Sequence, residues 1–263
     1  MTYQALDYDV QDGIARITLN RPDRFNAMDR QMGEELYDVA NRCSSDKSVR
    51  AAILTGSGEQ AFCAGGDIAS FVDNADDIER LLKEMTTVLH AAISRFAWMD
   101  APLIAAVNGV AAGAGLSLMS FCDLAIAADT ATFTSAYTRI GLTPDGSSTY
   151  FLSRILGTRR AMELYLTNRT LSAGEALDWG LVNRVVPAAE LGQAADSLAG
   201  EIAAGPTRAY GGIKKLMLMA TNDSLESQME RETRLIVEMG ASRDGREGAR
   251  AFVEKRKPRF TGE

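Results

Sequence analysis

Two runs of this sequence, AAILTG (51–56) and LIAAVNG (103–109), are apolar at successive rather than alternate positions. A strand with no polar face has to be covered on both sides. Such a chain needs helices with an apolar stripe to lay against those strands, and it supplies them. Asp29 to Cys43 carries Met32, Leu36, Val39 and Ala40 at helical spacing behind a capping aspartate. Asp77 to Met99 carries Ile78, Leu82, Met85, Leu89, Ala92 and Phe96 in steps of four and three, one buried stripe that Pro102 closes.

Around this frame, LDYDV (6–10) and IARITL (14–19) alternate across the turn-forming QDG and read as a β-hairpin. The small-residue segment VAAGAGLSLMSF (110–121) reads as a tightly packed helix, and DLAIAA with ATFT (123–134) as further strands. Beyond Gly141 strands almost vanish: helical patterns run through 146–156, 158–167, 172–178, 188–204, 206–221, 223–239 and 242–254, interrupted only by VNRVV (182–186). No low-complexity linker and no fixed-period repeat divides the chain, so the expectation is one continuous unit, a mixed α/β core followed by a helical tail.

Composition narrows the class. At 263 residues, 46% hydrophobic and 24% charged, the chain can bury a sizeable core, which excludes disordered and collagen-like classes. Lys and Arg number 28 against 35 Asp and Glu, a net charge of −7, and the one short basic run is KRKPR (255–259). Nucleic acid, RNA included, is a poor partner for that balance. Cys43, Cys63 and Cys122 are odd in number and set among apolar neighbours, reading as reduced thiols rather than bridges or metal ligands, and this favours the cytoplasm. The start, MTYQALDYDV, has no apolar core of a signal peptide, and the most apolar stretch, Gly109 to Cys122, is too short to span a membrane.

Two glycine-rich turns, AFCAGGDI (61–68) and NGVAAGAGLSL (108–118), each precede a helical segment. A helix start offers unpaired N–H groups and a positive dipole end, so two of them facing each other could hold a developing oxyanion. Equally, such glycines serve close packing. Neither turn matches a phosphate loop or the dinucleotide fingerprint.

Taken in order, NRPDRFNAM (20–28), AFCAGGDI (61–68), PLIAAVNGVAAGAG (102–115), AMELYLTNRTLSAGEALDWGLVNRVV (161–186) and REGARAFVEKRKPRFTG (246–262) resemble the enoyl-CoA hydratase/isomerase, or crotonase, superfamily over nearly the whole chain. The resemblance implies an α/β fold, a crotonase-like spiral of ββα units over 1–200 that holds an acyl-CoA site. A C-terminal helical region over 201–263 would then mediate assembly as a homotrimer or a dimer of trimers. It implies an acyl-CoA thioester as substrate, with CoA entering as part of that substrate and no further cofactor or metal. The two oxyanion donors map onto the backbone N–H groups of Gly66 and Ala114. CoA is expected against Arg24 to Ala27 and the loop Ala64 to Ile68, Asp67 included, with Lys255 near its phosphates.

The sequence departs from the hydratases of this superfamily at both catalytic glutamates, whose positions hold Ser117 and Tyr137. Neither is charged at neutral pH, which argues against hydration by a carboxylate pair. Ser117 reads most simply as a small packing residue. A carboxylate stands instead at Asp145, in GLTPDGSSTYFLSRILG (141–157). Its position suits a turn or helix cap. By resemblance it corresponds to the acid/base aspartate of ring-epoxide isomerases of phenylacetyl-CoA degradation and to the nucleophilic aspartate of 4-chlorobenzoyl-CoA dehalogenases.

His90, the single histidine, reads as a core-edge residue hydrogen-bonded once, or by resemblance as the dehalogenase base. Tyr137 then stands where those enzymes carry a tryptophan, as a group that binds substrate or steers Asp145. The resulting expectation is an acyl-CoA isomerase working through Gly66, Ala114 and Asp145. Its rivals are an aryl-CoA dehalogenase or hydrolase with an aspartyl intermediate, and a weakly catalytic acyl-CoA binding scaffold.

Overall fold

The computed structural model describes residues 3–263, so Met1 and Thr2 of the N-terminal stretch discussed above lie outside it. The expected hairpin is present: β1 (Leu6–Gln11) and β2 (Ile14–Leu19) pair antiparallel around Asp12 and Gly13, both at positive φ. Helix α1 (Arg30–Ser45) follows, its first turn capped by Asp29, which accepts from the Met32 N–H at 2.9 Å.

From here successive strands alternate between two sheets. β3 (Ala51–Gly56) lies parallel to β2, and β4 (Ala61–Cys63) starts the second sheet. After α2 (Ile68–Asp73) and α3 (Ile78–Trp98), β5 (Leu103–Val107) returns beside β3 and β6 (Val110–Ala112) beside β4. After α4 (Ala114–Ser120), β7 (Leu124–Ala128) joins β5 and β8 (Thr132–Thr134) joins β6, all parallel. Each turn of the chain is thus a strand for one sheet, a strand for the other and a helix, which is the spiral of ββα units expected. The largely apolar β3 and the wholly apolar β5 are interior strands of the larger sheet, as their sequences require.

Two segments correct the sequence reading. Residues 110–121 are not one helix: Val110–Ala112 is a strand, and Gly113 (φ 51°, ψ −123°) breaks the chain before α4. The backbone of small residues competes equally for either state, and pairing with β4 and β8 decides it. Beyond Gly141, α5 (Ser148–Thr167) is broken at Gly157 as the two patterns implied, but Thr170–Ser172 forms a further strand, β9, antiparallel to β8. Three residues are too few to show an alternating pattern.

α6 (Ala173–Trp179), β10 (Arg184–Val186), α7 (Leu191–Ala203), α8 (Thr207–Met219), α9 (Leu225–Ala241) and α10 (Arg243–Val253) complete the chain. α7 spans the 200/201 position and packs Ala195 and Ala199 on the larger sheet.

The core lies between the sheets and around α1 and α3, with Phe62, Phe96 and Phe133 fully enclosed. Each such side chain contributes on the order of 1.5–3 kcal/mol. Against it α8 is fastened by one buried cation. Lys214 Nζ donates to the carbonyls of Phe96 and Ala101, both at 3.0 Å, and lies 2.8 Å from Asp123 Oδ2. Asp123 Oδ2 also accepts the Leu103 N–H at the start of β5. Among the described residues no helix is long and apolar enough to cross a membrane.

Candidate active site

β4, β6 and β8 are neighbouring parallel strands, so whatever follows each of them emerges at the same edge of the sheet. The residues that follow are Ala64 to Asp67, Gly113 and Ala114, and Ser135 to Tyr137. This is why Gly66, Ala114 and Tyr137, remote in sequence, line one cavity of about 360 Å³ together with Asp145. The remaining wall is largely apolar, with Phe71, Leu82, Met85, Leu89, Ile140 and Leu142.

The two glycine loops lie against each other. Gly65 (φ 106°) and Gly113 both hold conformations that L side chains rarely adopt, and a Cβ on Gly65 would stand 3.0 Å from the Ala112 carbonyl oxygen. The first loop is bonded to the chain at Met28, whose N–H donates to the Gly65 carbonyl (2.7 Å) and whose carbonyl accepts the Asp67 N–H (2.8 Å). That pattern passes over the Gly66 N–H. The Ala114 N–H opens α4 and so has no acceptor in its own helix. Among the described residues neither amide has a hydrogen-bond partner.

Asp67 belongs to the scaffold. Its carboxylate accepts from Arg21 at 2.9 Å and from the Ser70 N–H at 3.4 Å; burial works against the charge, yet the Arg21 contact and the cap hold its carboxyl below the ordinary range. Arg21 also meets Asp29 at 3.1 Å, and the fully buried Asn26 donates to the carbonyls of Ser57 and Ala61. Sequence reasoning did not single out Arg21 and placed Asn26 only within the segment expected against CoA. Both lie in NRPDRFNAM, a polar run that by itself reads as a solvated loop, and their partners Asp67 and Ala61 are 46 and 35 residues away. Cys63, just before the loop, has its thiol pushed up to about 11 by burial, which leaves it no nucleophile at neutral pH.

Polar groups converge on Asp145. The Tyr137 hydroxyl donates to Oδ1 at 2.6 Å, and Ser117 Oγ lies 2.8 Å from that hydroxyl and 2.9 Å from the Asp145 carbonyl oxygen. Burial, then the neighbouring Asp145, pushes the Tyr137 phenol well above its ordinary value, so it stays protonated and can only donate toward the carboxylate. Ser117 is fully buried and sits at the centre of this network, which corrects its reading as a packing residue. Oδ2 of Asp145 has no donor among the described residues.

The expected residues separate into two groups. Gly66, Ala114, Tyr137, Asp145, Ala64 and Ile68 line the cavity. His90 is exposed on α3 and lies behind the Asp145 turn, where its Nε2 accepts the Gly146 N–H at 3.2 Å. Arg24 is exposed, Ala27 is buried, and neither borders the cavity; nor does Lys255, exposed after α10.

Residues 9–263 match the family model for enoyl-CoA hydratase/isomerase. The chain belongs to the enoyl-CoA hydratase/isomerase family. It is 39% identical over 262 residues to a protein of Rhodobacter capsulatus named probable enoyl-CoA hydratase, covering 100% of both chains. It is 38% identical to the 1,2-epoxyphenylacetyl-CoA isomerase of Escherichia coli, over 96% of this chain and 97% of that one. It is also 40% identical to 4-chlorobenzoyl coenzyme A dehalogenase-2 of an Arthrobacter species, over 86% and 82%. The crystal structure of an enoyl-CoA hydratase from Bacillus anthracis superposes with a TM-score of 0.92 at 32% identity, over 99% of this chain and 100% of that one. The crotonase fold is therefore common ground within the enoyl-CoA hydratase/isomerase family, while the activities named for these relatives differ.

Proposed function

We propose that this protein is an acyl-CoA isomerase that moves a proton with Asp145 while the Gly66 and Ala114 N–H groups hold the thioester oxygen. The observation that carries the reading is the pairing of two unpartnered amides with a single carboxylate, Asp145, in one largely apolar cavity. With a 3-enoyl-CoA, Asp145 would take a proton from the carbon beside the thioester carbonyl. The electron pair would pass into the carbonyl oxygen; the proton would then return at C4, the far carbon of the original C3=C4 bond, as the pair comes back from the oxygen and leaves the double bond at C2=C3. One preorganised donor is worth roughly 3–4 kcal/mol to such a transition state. No cofactor beyond the substrate's own CoA is needed for these steps.

Tyr137 anchors one oxygen of Asp145 and leaves Oδ2 for the substrate. Tyr137→Phe removes a hydrogen bond to a charged group, worth about 1.5–3 kcal/mol. The expected result is kcat lowered about 10- to 100-fold with KM little changed, measured by steady-state kinetics. The reading as a whole is tested by assaying trans-3-hexenoyl-CoA and 1,2-epoxyphenylacetyl-CoA for isomerisation beside crotonyl-CoA for hydration. Hydration as the fastest of the three would overturn it.

The position of His90 directly behind Asp145 and the likeness to the dehalogenase support a second reading. In it the Asp145 carboxylate would attack the chlorinated ring carbon of an aryl-CoA, chloride would leave, and water activated by His90 would hydrolyse the aspartyl ester. Against it, the Nε2 lone pair already accepts the Gly146 amide. Single-turnover incubation with 4-chlorobenzoyl-CoA in ¹⁸O-water decides: no chloride and no label in Asp145 dismisses it.

For CoA itself, Ala64 and Ile68 stand at the cavity wall and Arg24 is exposed next to Phe25, whose carbonyl accepts the Ala64 N–H at 3.0 Å, whereas Lys255 would have to reach the phosphates from outside this cavity. The apolar residues Leu225, Met229, Ile236 and Val237 of α9, with Phe252 and Val253 at the end of α10, are 48–87% exposed. Their exposure supports association of several chains, which we read as a homotrimer or dimer of trimers. A solution mass of one chain, by light scattering, would dismiss that assembly.

A further inference from the structure

The carboxylate of Asp145 is only as well placed as the turn that carries it, and that turn is an unusual one. Gly146 and Ser147 follow at φ 58° and 62°, two left-handed residues in succession, the second of them bearing a side chain. A peptide unit next to such residues can rotate between alternatives at small cost unless both of its ends are held. Here both ends of the Asp145–Gly146 peptide are held, by different helices. Its carbonyl oxygen accepts from Ser117 Oγ of α4 at 2.9 Å, and its N–H donates to His90 Nε2 of α3 at 3.2 Å.

The two clamps differ in their surroundings: Ser117 is buried and His90 exposed. Ser117 acts from within the protein, where a Cβ on Gly146 would fall 2.9 Å from its own Cβ. His90 borders a second cavity of about 670 Å³ that shares Asp145 with the first and continues along Ser94, Trp98 and Tyr150. The turn therefore borders both cavities.

We propose that His90 is a positioning residue: as the hydrogen-bond acceptor for the Gly146 amide it locks the peptide that aims Asp145, and it takes no part in proton transfer. Nε2 serves as acceptor, so the ring proton sits on Nδ1. The inference rests on the reading of Asp145 as the acid/base.

His90→Leu and His90→Gln test it, because a glutamine amide oxygen can accept the Gly146 N–H and leucine cannot. In turnover of trans-3-hexenoyl-CoA, His90→Leu is expected to lower kcat about 10- to 100-fold with KM within about threefold, the penalty of a misaimed group. His90→Gln is expected to keep kcat within about threefold. Both should melt within about 2 °C of the parent, since the imidazole is exposed. Amide hydrogen exchange at Gly146 should accelerate in the leucine variant and not in the glutamine variant.

Glutamine as damaging as leucine would mean that the ring does chemistry of its own, and would overturn the proposal. So would unchanged Gly146 exchange, or unchanged kcat, in the leucine variant. Failure of the underlying reading shows separately, as full activity of Asp145→Asn in the same assay.

Discussion

Asp145→Asn is expected to lower isomerase turnover by about 10²- to 10⁴-fold, the range that a positioned acid/base contributes. The change is close to isosteric, and the Tyr137 hydroxyl that now donates to Oδ1 at 2.6 Å can donate equally to an amide oxygen. The turn, its clamps and the apolar wall are untouched, so KM should stay near that of the parent and the fold should be unaltered. Only the capacity to take up and return a proton is lost. The two amides would still polarise the thioester, which is why residual turnover above the uncatalysed rate is expected. Steady-state kinetics with trans-3-hexenoyl-CoA, together with loss of deuterium from the carbon beside the carbonyl, reads both effects. A variant that matches the parent in both would remove Asp145 from the chemistry.

The second large effect is on stability. Lys214 is 8% exposed and donates to two carbonyls in addition to pairing with Asp123. Lys214→Met keeps the length of the side chain but strips the ammonium donor from all three oxygens, leaving Asp123 Oδ2 with the Leu103 N–H alone. Breaking a buried pair by removing one partner costs about 3–5 kcal/mol. Asp123 is partly open to solvent, its side chain 26% exposed, so the lower end applies. For a chain of this size about 3 kcal/mol corresponds to a fall in Tm of about 6–12 °C. The double variant Lys214→Met with Asp123→Asn should recover part of the loss, because no uncompensated carboxylate remains. A melt unchanged by Lys214→Met would show that α8 is held by its apolar contacts alone.

How far the site could be read from sequence differs residue by residue. The glycine loops declared themselves, because no other residue permits the turn at Gly65 or the break at Gly113. Asp145 stood out once Ser117 and Tyr137 were seen to lack charge. Ser117, by contrast, looked like packing: a hydroxyl in a small-residue helix carries no mark of the two oxygens it will meet. Arg21 and Asn26 were hidden for the same reason, since their partners lie up to 46 residues away. The strand at Thr170–Ser172 exists because β8 offers an open edge to it.

What the sequence determined by itself is the set of local elements and their order: which runs are too apolar to be anything but interior strands, which helices carry a stripe, where glycine must turn. These follow from periodicity and backbone freedom, which are properties of neighbours in the chain. The tertiary structure alone decided that β4, β6 and β8 stand side by side and parallel. Their shared direction delivers Gly66, Ala114 and Tyr137 to one edge, and α3 and α4 each hold one end of the Asp145–Gly146 peptide. Hydrogen-bond partners chosen across such distances depend on the packing of whole layers, and no local pattern encodes them.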